Sequence, residues 1–139
     1  MRLLDADILC YALYDESIYH DRVWNYVKAK LLEGSTLAVT HTTILETFNV
    51  LYWFYRVRPR RLLFNKMKLM TENMAVVPPS DNGLAIALES NIPLGDGFLI
   101  ATALEQKLPI IVSNDKHVAK AAPRYGLLVE NPLQKGLET

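Results

Sequence analysis

Cysteine is all but missing from this chain: Cys10 stands alone among 139 residues, which rules out an internal disulfide and any Cys-rich zinc site. A lone cysteine in an apolar stretch reads as a small buried hydrophobe. Excess charge of either sign is missing too, because the formal net charge is +0. A broad non-specific coat for nucleic acid is therefore excluded, although a local basic patch is not. No apolar run reaches the roughly 18 residues of a membrane span, and the N-terminus lacks a signal-peptide pattern. The expectation is a cytoplasmic protein without membrane contact. Internal repeats, low-complexity tracts and linkers are absent as well. What is abundant is apolar: 50% of the residues are hydrophobic, too many for a disordered chain. The length suits one domain, residues 1–139, whose core buries roughly two-thirds of the unfolded surface.

The chain is organised around residues 92–103, where Asp96 sits between Gly95 and Gly97 at the mouth of a helix. Phe98, Leu99, Ile100, Ala101, Ala103 and Leu104 leave that helix almost no polar face, so burial on most sides is expected. A short apolar strand, Ile110-Ile111-Val112, follows and ends in Ser113-Asn114-Asp115.

Four more strands are expected: residues 2–4, 36–40, 74–77 (stopped by Pro78-Pro79) and 127–129, the last at an edge. Between them, residues 15–32 read as a helix with Val23, Val27 and Leu31 on one face and Gly34 as its stop. His41-Thr42-Thr43 can cap a helix carrying Ile44, Leu45, Phe48, Leu51, Tyr52 and Tyr55 on its apolar side, broken by Pro59. Residues 60–73 form another. Ser80 reads as the cap of a helix through Glu89, and residues 118–122 as a short helical piece. The tail from Asn131 reads as frayed. Short apolar strands alternating with helices predict a three-layer α/β/α fold with a central, mostly parallel five-stranded sheet.

In such sheets, sites form beyond the carboxyl ends of the strands. Asp5 ends the first strand, Glu46 lies just past the second, Asp96 opens the organising helix and Asp115 follows the fourth strand. Each has a purely structural explanation: Asp5 or Asp7 as a helix cap, Glu46 as a helix-dipole partner, Asp96 as a cap, Asp115 in an Asx-turn. Together they mean more, because crowded like charges are unfavourable unless a cation neutralises them. Hard oxygen ligands without a His or Cys set suit Mg²⁺ or Mn²⁺. His20, His41 and His117 share no ligand spacing, and a bland role is expected of all three.

At these positions the sequence resembles the PIN-domain ribonucleases, especially compact toxins of the VapC type. Leu3-Leu4-Asp5-Ala6-Asp7-Ile8-Leu9, Thr43-Ile44-Leu45-Glu46, Leu94-Gly95-Asp96-Gly97-Phe98 and Ile111-Val112-Ser113-Asn114-Asp115 resemble that family's four acidic motifs, in order along nearly the whole chain. The resemblance implies Asp5, Glu46, Asp96 and Asp115 as metal-binding catalytic acids, with Ser113 and Asn114 in support. It implies hydrolysis of an RNA phosphodiester with Mg²⁺ or Mn²⁺, a small antitoxin as partner and a homodimer. Two positions depart from the family: Asp7 replaces a small polar residue and Gly97 the more usual Ala. A helix-capping role is expected for Asp7 rather than a ligand's.

The basic stretch Arg56, Arg58, Arg60 and Arg61 beside the aromatic run Tyr52-Trp53-Phe54-Tyr55 could grip RNA phosphates or be a solvated helix end. The aromatic run could fill core or line a dimer or antitoxin interface. Two rivals stand beside the ribonuclease. A haloacid-dehalogenase-like phosphatase would use Asp5, Asp7 and Asp96, but lacks the further acid expected downstream of Gly97 and a strand before its metal loop. A non-catalytic PIN-fold interaction module would have lost acids, and all four are present.

Overall fold

A computed structural model describes residues 1–134. Five strands, β1 (Arg2–Leu4), β2 (Leu37–Thr40), β3 (Ala75–Val77), β4 (Ile110–Val112) and β5 (Leu128–Glu130), form one sheet in the order β3-β2-β1-β4-β5. All four pairings are parallel, with Leu3 opposite both Ala38 and Ile111. The expected α/β/α architecture is the one observed.

The layers follow from period-two alternation along the strands. Leu4, Leu37, Val39 and Val112 point to one face and pack under α1 (Ala6–Leu13), α2 (His20–Leu32), α3 (His41–Asn49) and α4 (Arg60–Thr71). Leu3, Ala38 and Ile111 point to the other, under α5 (Gly83–Ser90), α6 (Leu94–Glu105) and α7 (Lys116–Ala121). Leu3, Leu4 and Leu9 are at most 1% exposed, each burial worth about 2 kcal/mol. Cys10 is half-buried against the first cluster, and burial, then the neighbouring Asp7 charge, pushes its thiol up to about 12.

β2 and β3 extend the sheet to one side of β1, while β4 and β5 extend it to the other. The connections therefore diverge between β1 and β4, and the crevice at that switch point is where an open parallel sheet builds a site. It is closed below by the Asp5 amide, which donates to the Val112 carbonyl at 3.0 Å.

Several boundaries differ from the expectations. The helix expected over 15–32 begins only at His20, because Tyr14 turns extended (φ −98°, ψ 96°) and ends α1. Thr40, not residues 41–43, caps α3 by accepting the Thr43 amide at 3.0 Å. That helix runs on as a π-helical turn, Val50–Phe54, and Arg56 then adopts a left-handed φ of 56°. It is already broken before Pro59, which instead precedes α4. Of its expected apolar face, Leu51 is fully buried but Leu45 is 59% exposed. Ser80 does not cap α5; its Oγ accepts the Asn82 amide, and Asn82 is the residue before the helix. α7 continues as a 3₁₀ turn, Ala122–Tyr125. The tail is anchored at Asn131, whose side chain bonds Asn114 and the Leu133 amide; residues 135–139 of the expected frayed tail lie outside the described residues.

Gly83 and Gly97 bring α5 and α6 into backbone contact. A Cβ on Gly97 would lie 2.5 Å from the Gly83 carbonyl oxygen. Among the described residues no single helix is long and apolar enough to cross a membrane; α5 and α6 together are, but they bend by 118°.

Candidate active site

Asp5 follows β1 and caps α1 itself: Oδ1 accepts the Ala6 amide at 2.7 Å. Asp7, expected to be the cap, sits in the first turn instead, and its Oδ2 accepts the Asn114 amide at 2.9 Å across the crevice. That bond ties α1 to the loop after β4. The same loop is fixed to Asp5 by Ser113, whose Oγ donates to Asp5 Oδ2 at 2.7 Å and accepts the Asp115 amide at 3.0 Å. Asn114 adds its Oδ1 as acceptor for Asn131. Asp115 caps α7, with Oδ1 taking the His117 and Val118 amides at 2.7 and 3.3 Å. Both supporting residues, Ser113 and Asn114, thus hold the acid-bearing loop.

Glu46 and Asp96 enter from opposite sheet faces. Glu46 lies on the second turn of α3 and Asp96 on the first turn of α6, and both border a cleft of about 50 Å³ with Asp5, Thr40 and Thr43. Gly95 faces Glu46 across the cleft, where a Cβ would stand 3.8 Å from Glu46 Oε1, at ordinary contact distance. Among the described residues, Asp96 Oδ2 is buried without a hydrogen-bond partner, as is Asp7 Oδ1. A buried acceptor left unsatisfied is costly.

The electrostatics agree. Burial, then the Asp115 and Asp5 charges, pushes Asp96 up to about 7, with His117 alone pulling it back down. Burial, then Asp5, pushes Asp7 up to about 7. Burial and Asp115 raise Asp5 against the pull of its two hydrogen bonds, and burial followed by Asp5 raises Glu46. Asp5, Glu46 and Asp96 thus border one cleft, while Asp115 lines the neighbouring cavity with Ser113 and Asn114 and acts on Asp5 and Asp96 by its charge. Asp7 is a fifth acid of the group, set aside as a cap in the sequence. Its signal was the Asp5-Ala6-Asp7 spacing at a strand–helix junction.

Among the described residues no three His, Cys, Asp or Glu side chains stand at metal-ligating spacing. The fit to a hard divalent cation is chemical: an all-oxygen donor set, mutual repulsion and an orphaned carboxylate oxygen on Asp96, a residue that lines the cleft. The arginine stretch follows the π turn and lines none of the cleft. Arg58 is committed locally, stacking 3.7 Å from the Tyr52 ring centre and donating to the Tyr52 carbonyl at 2.8 Å. Arg60 packs over Phe64 at 4.6 Å. Trp53 and Phe54 are 66% and 75% exposed. A larger apolar groove, about 510 Å³, runs between α1, α2 and α4, lined by Leu13, Trp24, Val27, Leu69 and Met70.

A family model described as PIN domain matches residues 2–123. No curated protein matches the chain. Solved structures similar to it include PAE2754 from Pyrobaculum aerophilum, at 21% identity and TM-score 0.64 over 92% of this chain and 82% of that one. VapBC2 from Rickettsia felis, bound to a DNA fragment from its promoter, gives 15% identity and TM-score 0.68 over 94% and 97%. A toxin–antitoxin complex from Klebsiella pneumoniae gives 16% identity and TM-score 0.67 over 96% and 99%.

Proposed function

The chain belongs to the PIN domain family, and from that premise we propose that it is a Mg²⁺- or Mn²⁺-dependent endoribonuclease, the toxin of a toxin–antitoxin pair. The observation that carries the reading is Asp96: among the described residues its buried Oδ2 has no partner, and the residue lines the cleft shared with Asp5 and Glu46. A carboxylate desolvated beside other carboxylates is unfavourable until a cation joins it.

Asp5, Glu46, Asp96 and Asp115 would hold the metal rather than attack phosphorus. Bound there, the cation would supply a water of lowered pKa and positive charge against the phosphoryl oxygens. The chain's own contribution is placement. Ser113 and the Ala6 amide fix the Asp5 carboxylate, the His117 and Val118 amides fix that of Asp115, and Asp7 holds the loop between them. Arg56 and Arg61, exposed at the far end of the π turn, would meet only distant parts of a long RNA.

The toxin half extends to this chain what the Rickettsia and Klebsiella structures are named for. An antitoxin segment would find apolar footing in the groove between α1, α2 and α4, and a second copy of the chain on the exposed Trp53 and Phe54.

The test is cleavage of a panel of folded RNAs by the purified chain with Mg²⁺, Mn²⁺ or EDTA, beside Asp96→Asn. Metal-dependent cutting that the variant lacks is expected. Cutting that persists in Asp96→Asn would overturn the site assignment, and no cutting with release of phosphate from small phosphomonoesters would overturn the ribonuclease.

A further inference from the structure

The acidic crevice poses a problem for its own substrate. RNA carries a negative charge at every phosphate, and a chain of formal net charge +0 offers no general attraction to offset several carboxylates. Any grip on the strand must come from cations placed beside the crevice. The arginine stretch lines none of the acidic cleft, and Arg58 and Arg60 are engaged on the rings of Tyr52, Phe48 and Phe64.

A second basic surface adjoins the site directly. A cavity of about 250 Å³ lies between the end of α5 and the α7–3₁₀ segment. Among the described residues its ionisable lining groups are His117, Lys120 and Arg124, beside the apolar Ile92 and Ala121 and the polar Ser90 and Asn91. Spacings of three and seven residues put the three basic side chains on one side of a helical segment, over a rise of about 10 Å. His117 is the end nearest the acids, two residues after Asp115 and donating its amide to Asp115 Oδ1 at 2.7 Å. Lys120 and Arg124 are exposed.

The wall is held in place. The Tyr125 hydroxyl lies 2.9 Å from Ser90 Oγ and donates to Glu89 Oε1 at 3.1 Å. This joins α5 to the 3₁₀ turn. Asn91 in a left-handed conformation (φ 53°) turns the chain around the rim.

We propose that His117, Lys120 and Arg124 form a backbone subsite for the RNA strand beyond the scissile phosphate. Lys120 and Arg124 take successive phosphates, and a ribose rests over Ile92 and Ala121. The subsite rests on the ribonuclease reading above and adds the path of the strand: from the acids, across α7, toward Tyr125. Because it touches phosphate and sugar, it positions RNA without reading its sequence.

The test measures binding of a fluorescein-labelled, mixed-sequence 20-nucleotide single-stranded RNA by anisotropy across a salt series in Mg²⁺. The full chain carries Asp96→Asn to prevent cleavage. Adding Lys120→Ala and Arg124→Ala is expected to weaken binding about tenfold at low salt. It should also flatten the slope of log K against log salt by about 1.4, at about 0.7 per single-strand phosphate contact. Removing the same charge elsewhere, by Lys28→Ala with Lys68→Ala, should leave the slope unchanged, and circular dichroism checks that every variant is folded. An unchanged slope in the Lys120/Arg124 variant, or an equal fall in the Lys28/Lys68 control, would overturn the subsite. If the slope falls instead with Arg56→Ala and Arg61→Ala, the strand runs the other way and the subsite is likewise overturned. The ribonuclease reading is tested separately by metal-dependent cleavage with wild-type acids, so cutting that survives an unchanged slope removes the subsite alone.

Discussion

Gly83 and Gly97 meet with no room for a side chain on either. A Cβ on Gly97 would stand 2.5 Å from the Gly83 carbonyl oxygen and 2.7 Å from Ala87 Cβ, while one on Gly83 would stand 2.3 Å from the Phe98 ring. This contact seats α6, and with it Asp96, against α5. The departure from the usual alanine at position 97 is thereby explained: this chain packs the two helices at backbone distance.

Gly97→Ala should therefore destabilise the fold although alanine is the better helix former. The helix gain is about 1 kcal/mol, and overpacking against backbone costs about 1–3 kcal/mol, so the clash prevails and the melting temperature falls by several degrees. Gly95→Ala is the contrasting case. Its Cβ meets only Glu46 Oε1 at 3.8 Å, so the helix gain should show and the melting temperature rise. Thermal melts of both variants check the pair; a Gly97→Ala protein as stable as wild type would show that α5 shifts freely.

Metal-free protein should lose stability as pH rises from about 4 to about 7. Asp7 and Asp96 give up their protons near 7 when folded, against about 4 in an unfolded chain. Between those values the folded state binds more protons, so unfolding becomes easier with rising pH and the loss is complete above about 7. Melts in EDTA should give a higher melting temperature at pH 5 than at pH 8. Mg²⁺ should recover more at pH 8, and Asp96→Asn should flatten the slope. A melting temperature that climbs from pH 5 to pH 8 in EDTA would contradict the mutual repulsion.

Strand positions were legible because apolar runs such as Leu3-Leu4 and Ile111-Val112 end abruptly in polar residues, Asp5 after the first and Ser113-Asn114-Asp115 after the second, and in a parallel sheet those ends share one edge. Contacts between distant segments were not legible. Asp5 and Asp7 have equal capping chemistry, and only the Asn114 amide across the crevice assigns Asp7 its partner. The break between α1 and α2 carries neither Gly nor Pro at residues 14–19, so nothing local announced it. The basic face His117, Lys120 and Arg124 runs past both ends of the short helical piece expected at residues 118–122, because α7 starts at Lys116 and continues as a 3₁₀ turn through Tyr125.

Asp7→Ala and Asp7→Asn should separate a holding role from a charge role. Alanine leaves the Asn114 amide without its 2.9 Å acceptor and frees the loop before Asp115. Asparagine keeps an acceptor oxygen and removes a charge that opposes ionisation of its neighbours. Cleavage should fall about tenfold or more in Asp7→Ala and stay within a few-fold of wild type in Asp7→Asn, with a higher melting temperature above pH 7. Equal loss in both, with weaker metal binding by calorimetry, would make Asp7 a ligand.

Ser113→Ala removes the hinge between the two acid-bearing segments. One hydroxyl donates to Asp5 Oδ2 and accepts the Asp115 amide, so its loss leaves a carboxylate oxygen and a backbone N–H short of partners in a buried position. Each unsatisfied group costs about 1–3 kcal/mol, and cleft water recovers part of that, so a net loss of about 2 kcal/mol is expected in urea unfolding. Asp5 also loses a bond that favoured its charged form, so the acid limb of a pH–rate profile should move to higher pH. Ser113→Thr, which keeps the hydroxyl, should hold that limb in place. A purely structural residue would lower stability without moving the limb, and an unmoved limb in Ser113→Ala would leave Ser113 that lesser part.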